Sequence, residues 1–138
     1  MLTSARNTLY GTVDSVITGA VNSELILSVG SEKLVATLTN ESVKNLEIAI
    51  GSSAYALIKS SSIILAKTKP LRISARNVLR ATVSEVIKGA VNAEIKMTIG
   101  NTTLTSIITN ESCDELMMKK DDDVYAIFKA SSVIIGML

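Results

Sequence analysis

Ser4-Ala5-Arg6-Asn7 recurs as Ser74-Ala75-Arg76-Asn77, and each copy is followed twelve residues later by Gly-Ala-Val-Asn, at Gly19 to Asn22 and Gly89 to Asn92. A single offset of 70 carries one copy onto the other. The same offset superposes Thr39-Asn40-Glu41-Ser42 on Thr109-Asn110-Glu111-Ser112, Tyr55-Ala56 on Tyr125-Ala126 and Lys59 on Lys129, with no insertion or deletion. About 27 of 68 aligned positions are identical, which makes the chain a tandem duplication. The expected organisation is a first domain over 1–66, a linker over 67–71 and a second domain over 72–138.

Working outward from the first motif, the apolar residues Leu9, Val13, Val16 and Ile17 change phase once between Thr8 and Thr18. A two-residue period survives on either side, which predicts a curved strand with a bulge. Gly19-Ala20-Val21-Asn22 reads as a turn. Asn22 to Val29 and Glu32 to Thr39 read as strands joined at Gly30-Ser31. Thr39 and Ser42 are suited to cap a short helical segment ending near Leu46. Gly51-Ser52-Ser53 turns the chain into a strand over Ala54 to Lys59, and Ile63 to Leu65 is the last. Five short strands with a helical turn between the third and fourth predict an all-β fold of two tandem OB-like five-stranded barrels, each with a short helical turn. Ala66-Lys67-Thr68-Lys69-Pro70 carries the only proline and reads as the linker.

Each unit of about 68 residues sits near the size at which a lone core is marginal. The chain is 47% apolar with no Trp and one Phe, so Val, Ile, Leu and Ala must supply the buried bulk. Contacts between units or chains, and hence an oligomer, are expected. A net charge of +1 supplies no long-range field toward nucleic acid or an anionic membrane. The scarcity of aromatics also argues against an OB-fold that stacks bases. No apolar run approaches the ~20 residues of a membrane span and no signal peptide is evident, so a cytoplasmic location is expected.

Catalytic equipment is missing from the sequence. With no His, the commonest general base is absent, and there is no zinc ligand set or phosphate-binding Gly-Lys loop. An enzyme is not expected. Cys113, the only cysteine, aligns with Val43 and reads as an inert thiol. Asp121-Asp122-Asp123 lacks the alternate spacing of an EF-type calcium loop and reads as a solvated turn.

What is duplicated is a set of hydrogen-bond donors in or beside turns: Ser4, Arg6, Thr39, Ser42, Lys59 and Ser60, then Ser74, Arg76, Thr109, Ser112 and Lys129. Guanidinium and ammonium groups only donate, and each hydroxyl can donate once. Brought together, these groups would hold an anion, the Arg as a planar fork and the Lys as a point charge. Alternatively Thr39 and Ser42 only cap a helix while Arg6 and Lys59 are solvated. Composition leaves both readings open.

Ser-Ala-Arg-Asn, Gly-Ala-Val-Asn-x-Glu, Thr-Asn-Glu-Ser and Tyr-Ala-x-x-Lys-x-Ser, in this order and twice over, resemble the Mop domain of molybdate-binding proteins. The whole chain resembles the two-domain molbindins. The resemblance implies a homotrimer of six pseudo-equivalent units, with molybdate or tungstate held at interfaces between units and no other cofactor. It implies that Ser4, Arg6, Lys59 and Ser60 meet Thr39 and Ser42 of a neighbouring unit, and that Ser74, Arg76 and Lys129 meet Thr109 and Ser112. Ala130 stands where Ser60 stands in the first copy, so one hydroxyl is missing there. Weaker sites near a threefold axis would involve Val21, Asn22, Val91 and Asn92, with Glu24 and Glu94 turned away or paired. The implied function is storage or homeostasis of the anion. The alternative is a molybdate-sensing module, which would have to act through a partner protein.

Overall fold

The structure, a computed structural model, describes residues 3–138, so Met1 and Leu2 at the start of the first expected domain lie outside the described residues. The first repeat contains β1 (Asn7–Thr18), β2 (Asn22–Val29), β3 (Glu32–Thr39), α1 (Asn40–Asn45), β4 (Ser53–Ile58), a 3-10 turn (Ser60–Ser62) and β5 (Ile64–Ala66). The second contains β6 (Asn77–Lys88), β7 (Asn92–Ile99), β8 (Thr102–Thr109), α2 (Asn110–Glu115), β9 (Asp123–Phe128), a 3-10 turn (Ala130–Ser132) and β10 (Ile134–Met137).

These elements follow from local sequence. Leu25, Leu27 and Val29 alternate into the core along β2, and Gly30 at φ 59° supplies the left-handed residue that the tight turn into β3 needs. The phase change in β1 is a bulge. Val13 pairs with Leu27 and Ser15 with Ile26, leaving Asp14 unopposed, and the register shifts again between Val83 and Glu85.

The all-β fold of two five-stranded OB-like units is as expected, and the fifth strand is exchanged between them. The two five-stranded sheets run β10-β4-β1-β2-β3 and β5-β9-β6-β7-β8, so each takes its fifth strand from the other repeat. Ile134 to Met137 pairs with Leu57 to Ala54, and Ile64 to Ala66 pairs with Ile127 to Tyr125. The physical reason lies in the duplication. Ile63-Ile64-Leu65-Ala66 and Val133-Ile134-Ile135-Gly136 present nearly the same apolar pattern to nearly the same edge, so the ladder does not distinguish the donor repeat.

Exchange fuses the two cores. One apolar cluster runs from Leu9, Leu25, Leu27 and Leu34 to Leu79, Ile95, Leu104 and Phe128. On β3, Leu34, Val35 and Ala36 are consecutively buried, as are Leu104, Thr105 and Ser106 on β8, because the outer faces of these strands meet the other repeat.

Asn7 and Asn77 fasten that contact. The Asn77 side-chain amide donates to the Val35 carbonyl and accepts from the Val35 N–H, each at 2.8 Å. The Asn7 amide does the same to Thr105, at 2.8 and 2.6 Å, and also donates to the Ile58 carbonyl at 3.2 Å. Each amide therefore stands in for a missing strand on the open edge of β3 or β8, where unpaired peptide groups would otherwise be buried.

Candidate functional site

The start of α1 is built as its residues suggest. Thr39 caps it, its Oγ1 accepting from the Ser42 N–H at 3.1 Å, and Thr39 Oγ1 donates to Ser42 Oγ at 2.8 Å. The pair Thr109 and Ser112 repeats this at 3.0 and 2.9 Å. With the Thr proton committed, the Ser42 and Ser112 hydroxyl protons are left to donate outward. The helical start offers an anion less than its sequence suggests. The Ser42 N–H is taken by the cap, and the Asn40 N–H goes to the Val21 carbonyl at 2.9 Å.

The Gly-Ala-Val-Asn turns are fixed to these helix starts. Asn40 Nδ2 donates to the Gly19 carbonyl at 3.0 Å and Asn110 Nδ2 to the Gly89 carbonyl at 2.9 Å. Ser23 Oγ completes the first network by donating to Asn40 Oδ1 at 2.5 Å. In the second repeat Ala93 replaces Ser23, and Asn110 Oδ1 is buried without a partner. Val21 and Val91 are each 71% exposed at the turn tips, and Asn22 and Asn92 are exposed beside them.

Three open clefts gather the other candidates. Ser4 and Lys59 line one of about 460 Å³ together with Thr3 and Ser62 and, from the other repeat, Ser131 and Ser132. No carboxylate lines it. Thr109 and Ser112 line a second, of about 420 Å³, with Ser61, Ile63, Ile64 and Leu65 contributing from the first repeat and Asn92 from the second. Arg6 lies in a third with Gly89, Asn92 and Glu94. The second and third share Asn92 and Ile107 and so adjoin. First-repeat Arg6 and Ser61 thus border the same surface as second-repeat Thr109 and Ser112. These clefts are far roomier than a five-atom oxyanion, and one chain does not close around such a ligand.

Several expected contacts are absent within the chain. Arg6 is ion-paired with Glu94, and its counterpart Arg76 with Glu24. Ser60 and Ala130 are each 6% exposed, so position 60 faces the interior, and the cleft-lining hydroxyls are those of Ser61, Ser62, Ser131 and Ser132. The signal for them was available: Ser61-Ser62 is identical in both copies, while Ser60 is not. Ser74 and Lys129 are exposed. Thr39 and Ser42 are on the surface with no first-motif residue hydrogen-bonded to them among the described residues.

The remaining polar groups have ordinary partners. Asp122 accepts from Lys67 Nζ at 2.8 Å and from the Lys119 N–H at 2.9 Å, which holds its carboxyl below the usual 3.8. Asp123 pairs with Arg80 at 3.1 Å. Cys113 is buried, and among the described residues no group of three or more His, Cys, Asp or Glu could hold a metal ion. Nor is any helix there long and apolar enough to cross a membrane.

The TOBE domain model matches the chain twice, over residues 3–65 and 73–135. No curated protein matches the sequence. Among solved structures, the cytoplasmic molybdate-binding protein ModG, in a form with molybdate bound, superposes with a TM-score of 0.96 at 39% identity, covering 100% of both chains. A molybdate-binding protein from Sporomusa ovata is 43% identical over 44% of this chain and 90% of its own, with a TM-score of 0.43. MopII from Clostridium pasteurianum is 31% identical over 46% and 96%, with a TM-score of 0.44.

Proposed function

We propose, from the premise that this chain belongs to the TOBE domain family, that it is a cytoplasmic molybdate-binding protein which stores or buffers the anion without chemical change. The observation that carries this reading is the duplicated, donor-rich surface built by both repeats, in a chain superposable end to end on ModG. Molybdate near neutral pH is a deprotonated tetrahedral dianion, so hydroxyl, ammonium and guanidinium donors suit it. Phosphate retains a proton that needs an acceptor, and the Ser4–Lys59 cleft, which has no carboxylate on its wall, leaves it unmet at a cost of about 1–3 kcal/mol. Sulfate, with shorter bonds to oxygen, leaves some donors out of reach. Tungstate has nearly the shape of molybdate and is expected to bind alike.

Closure of the shell is assigned to further copies of the chain, as a homotrimer. Two features support this: the clefts are open in one chain, and apolar Ile64 and Ile134 beside them are 65% and 62% exposed. Such side chains are suited to an interface.

Titration calorimetry with molybdate, tungstate, sulfate and phosphate tests the reading. Heat with the first two and little with the others is expected, whereas a folded protein giving no heat with either would end it. The double substitution Arg6→Ala with Arg76→Ala is expected to abolish interface binding while the oligomer persists. Undiminished stoichiometry in that variant would remove the arginines from the site.

A further inference from the structure

We infer that Glu24 and Glu94 act as built-in competitors for the anion, each holding the guanidinium fork that the ligand must take over, and so set its affinity. The inference rests on the proposed molybdate site. It begins from an ion pair that occurs twice and is bidentate in one of its two copies. Arg76 Nη1 and Nη2 reach Glu24 Oε2 and Oε1 at 2.5 and 2.9 Å, so one carboxylate occupies both terminal nitrogens. Arg6 meets Glu94 across the same pseudo-symmetric boundary between repeats.

Placement gives the pair a role beyond holding the repeats together. Among the described residues, Glu94 is the only acidic one lining either of the adjoining clefts that carry Arg6, Asn92, Thr109 and Ser112. A carboxylate here works against an anion in two ways: it engages a guanidinium that suits an oxyanion, and it adds like charge beside the ligand. Were the pair needed only for cohesion, it would be poorly sited. The arginines remain 47% and 55% exposed and the glutamates 21% and 27%, and ion pairs open to solvent contribute little to stability. The buried Asn7 and Asn77 amides already fasten the same boundary. A pair whose arginine is half-exposed while its carboxylate is part-buried, with Glu94 Oε1 itself buried, suits an exchange in which a dianion displaces a monoanion from the arginine.

The test is molybdate calorimetry on wild type and on the double variant Glu24→Gln with Glu94→Gln at one ionic strength, alongside melting curves of both without anion. Affinity is expected to rise about 1.5- to fivefold, the factor corresponding to release of a solvent-accessible ion pair, while the melting temperature stays level or falls. Affinity that is unchanged, or weaker, with wild type binding normally would overturn the inference, weaker binding meaning that the carboxylates aim the arginines at the ligand. Failure of the folded wild type to bind at all would instead overturn the proposed function. Glu24→Asp with Glu94→Asp, which keeps the charge but withdraws it by one methylene, provides the same reading if the glutamine variant does not fold, with a smaller rise expected.

Discussion

Replacing Asn7 by alanine tests whether its side-chain amide serves as a surrogate strand between the repeats. Asn7 is 1% exposed, and Thr105, which it brackets, is 6% exposed. The substitution deletes three hydrogen bonds, at 2.6, 2.8 and 3.2 Å, and orphans the Thr105 N–H and C=O. At about 1–3 kcal/mol for each orphaned buried group, the expected loss is about 2–6 kcal/mol. A chain of this size has a total of roughly 7–20 kcal/mol, so the loss is a large share. The assay is urea unfolding followed by far-ultraviolet circular dichroism at fixed protein concentration, and the midpoint should fall by about 1–2 M. A loss below about 1 kcal/mol would refute the reasoning, because Thr105 would then be satisfied without the amide. Asn7→Asp sharpens the test. The introduced carboxylate would face the Thr105 and Ile58 carbonyls, so its folded-state pKa should lie above the ordinary ~3.9. The folded state then binds the extra proton, and stability falls as pH rises through the unfolded value. The variant should be closest to wild type below about pH 4.

Three further outcomes are expected. Ala93→Ser restores the donor that Ser23 supplies in the first repeat and should stabilise the chain by about 0.5–1.5 kcal/mol by satisfying Asn110 Oδ1; a higher urea midpoint is the readout. Asp122→Asn should lower stability at neutral pH. Because Lys67 and then the Lys119 N–H depress the folded-state pKa, the stabilisation is present above 3.8 and lost as pH falls through the depressed value, so the two melting profiles should converge in acid. A fragment of residues 1–70 should be a dimer by sedimentation, since without β10 the outer edge of β4 is open and a second copy's β5 can fill it; a folded monomer would show that a repeat can close on itself.

Much of the fold was legible because local signals agreed with one another. The phase change after Val13 marked the bulge, Gly30 the hairpin, and Thr39 the helix cap. The exchange was not legible, since strands five and ten carry the same pattern and alternation does not reveal which edge a strand joins. Nor could alternation show that Val35 and Thr105 are buried on a strand's outer face, which depends on a neighbour some 40 or 100 positions away in sequence. Within the site, hydroxyls in a capping pattern were readable from spacing. The engagement of Arg6 by Glu94 was not, because residues so far apart in sequence meet only once the repeats are set against one another.

The exchange also bears on why the donors are duplicated in one chain. The cleft around Ser4 and Lys59 has Ser131 and Ser132 from the other repeat on its wall, and the Thr109 cleft has Ser61 on its wall. The 3-10 turns that present these serines are the segments through which the chain crosses between sheets. Each lies between a strand of its own sheet, β4 or β9, and a strand donated to the partner sheet, β5 or β10. Strand pairing on both sides fixes these turns, so the serines are held by ladders rather than by a free loop. Opening the exchange would therefore cost the fused core and the cleft walls together. Stability and ligand affinity should consequently change in parallel for substitutions in β5 and β10, but in opposite directions at Glu24 and Glu94.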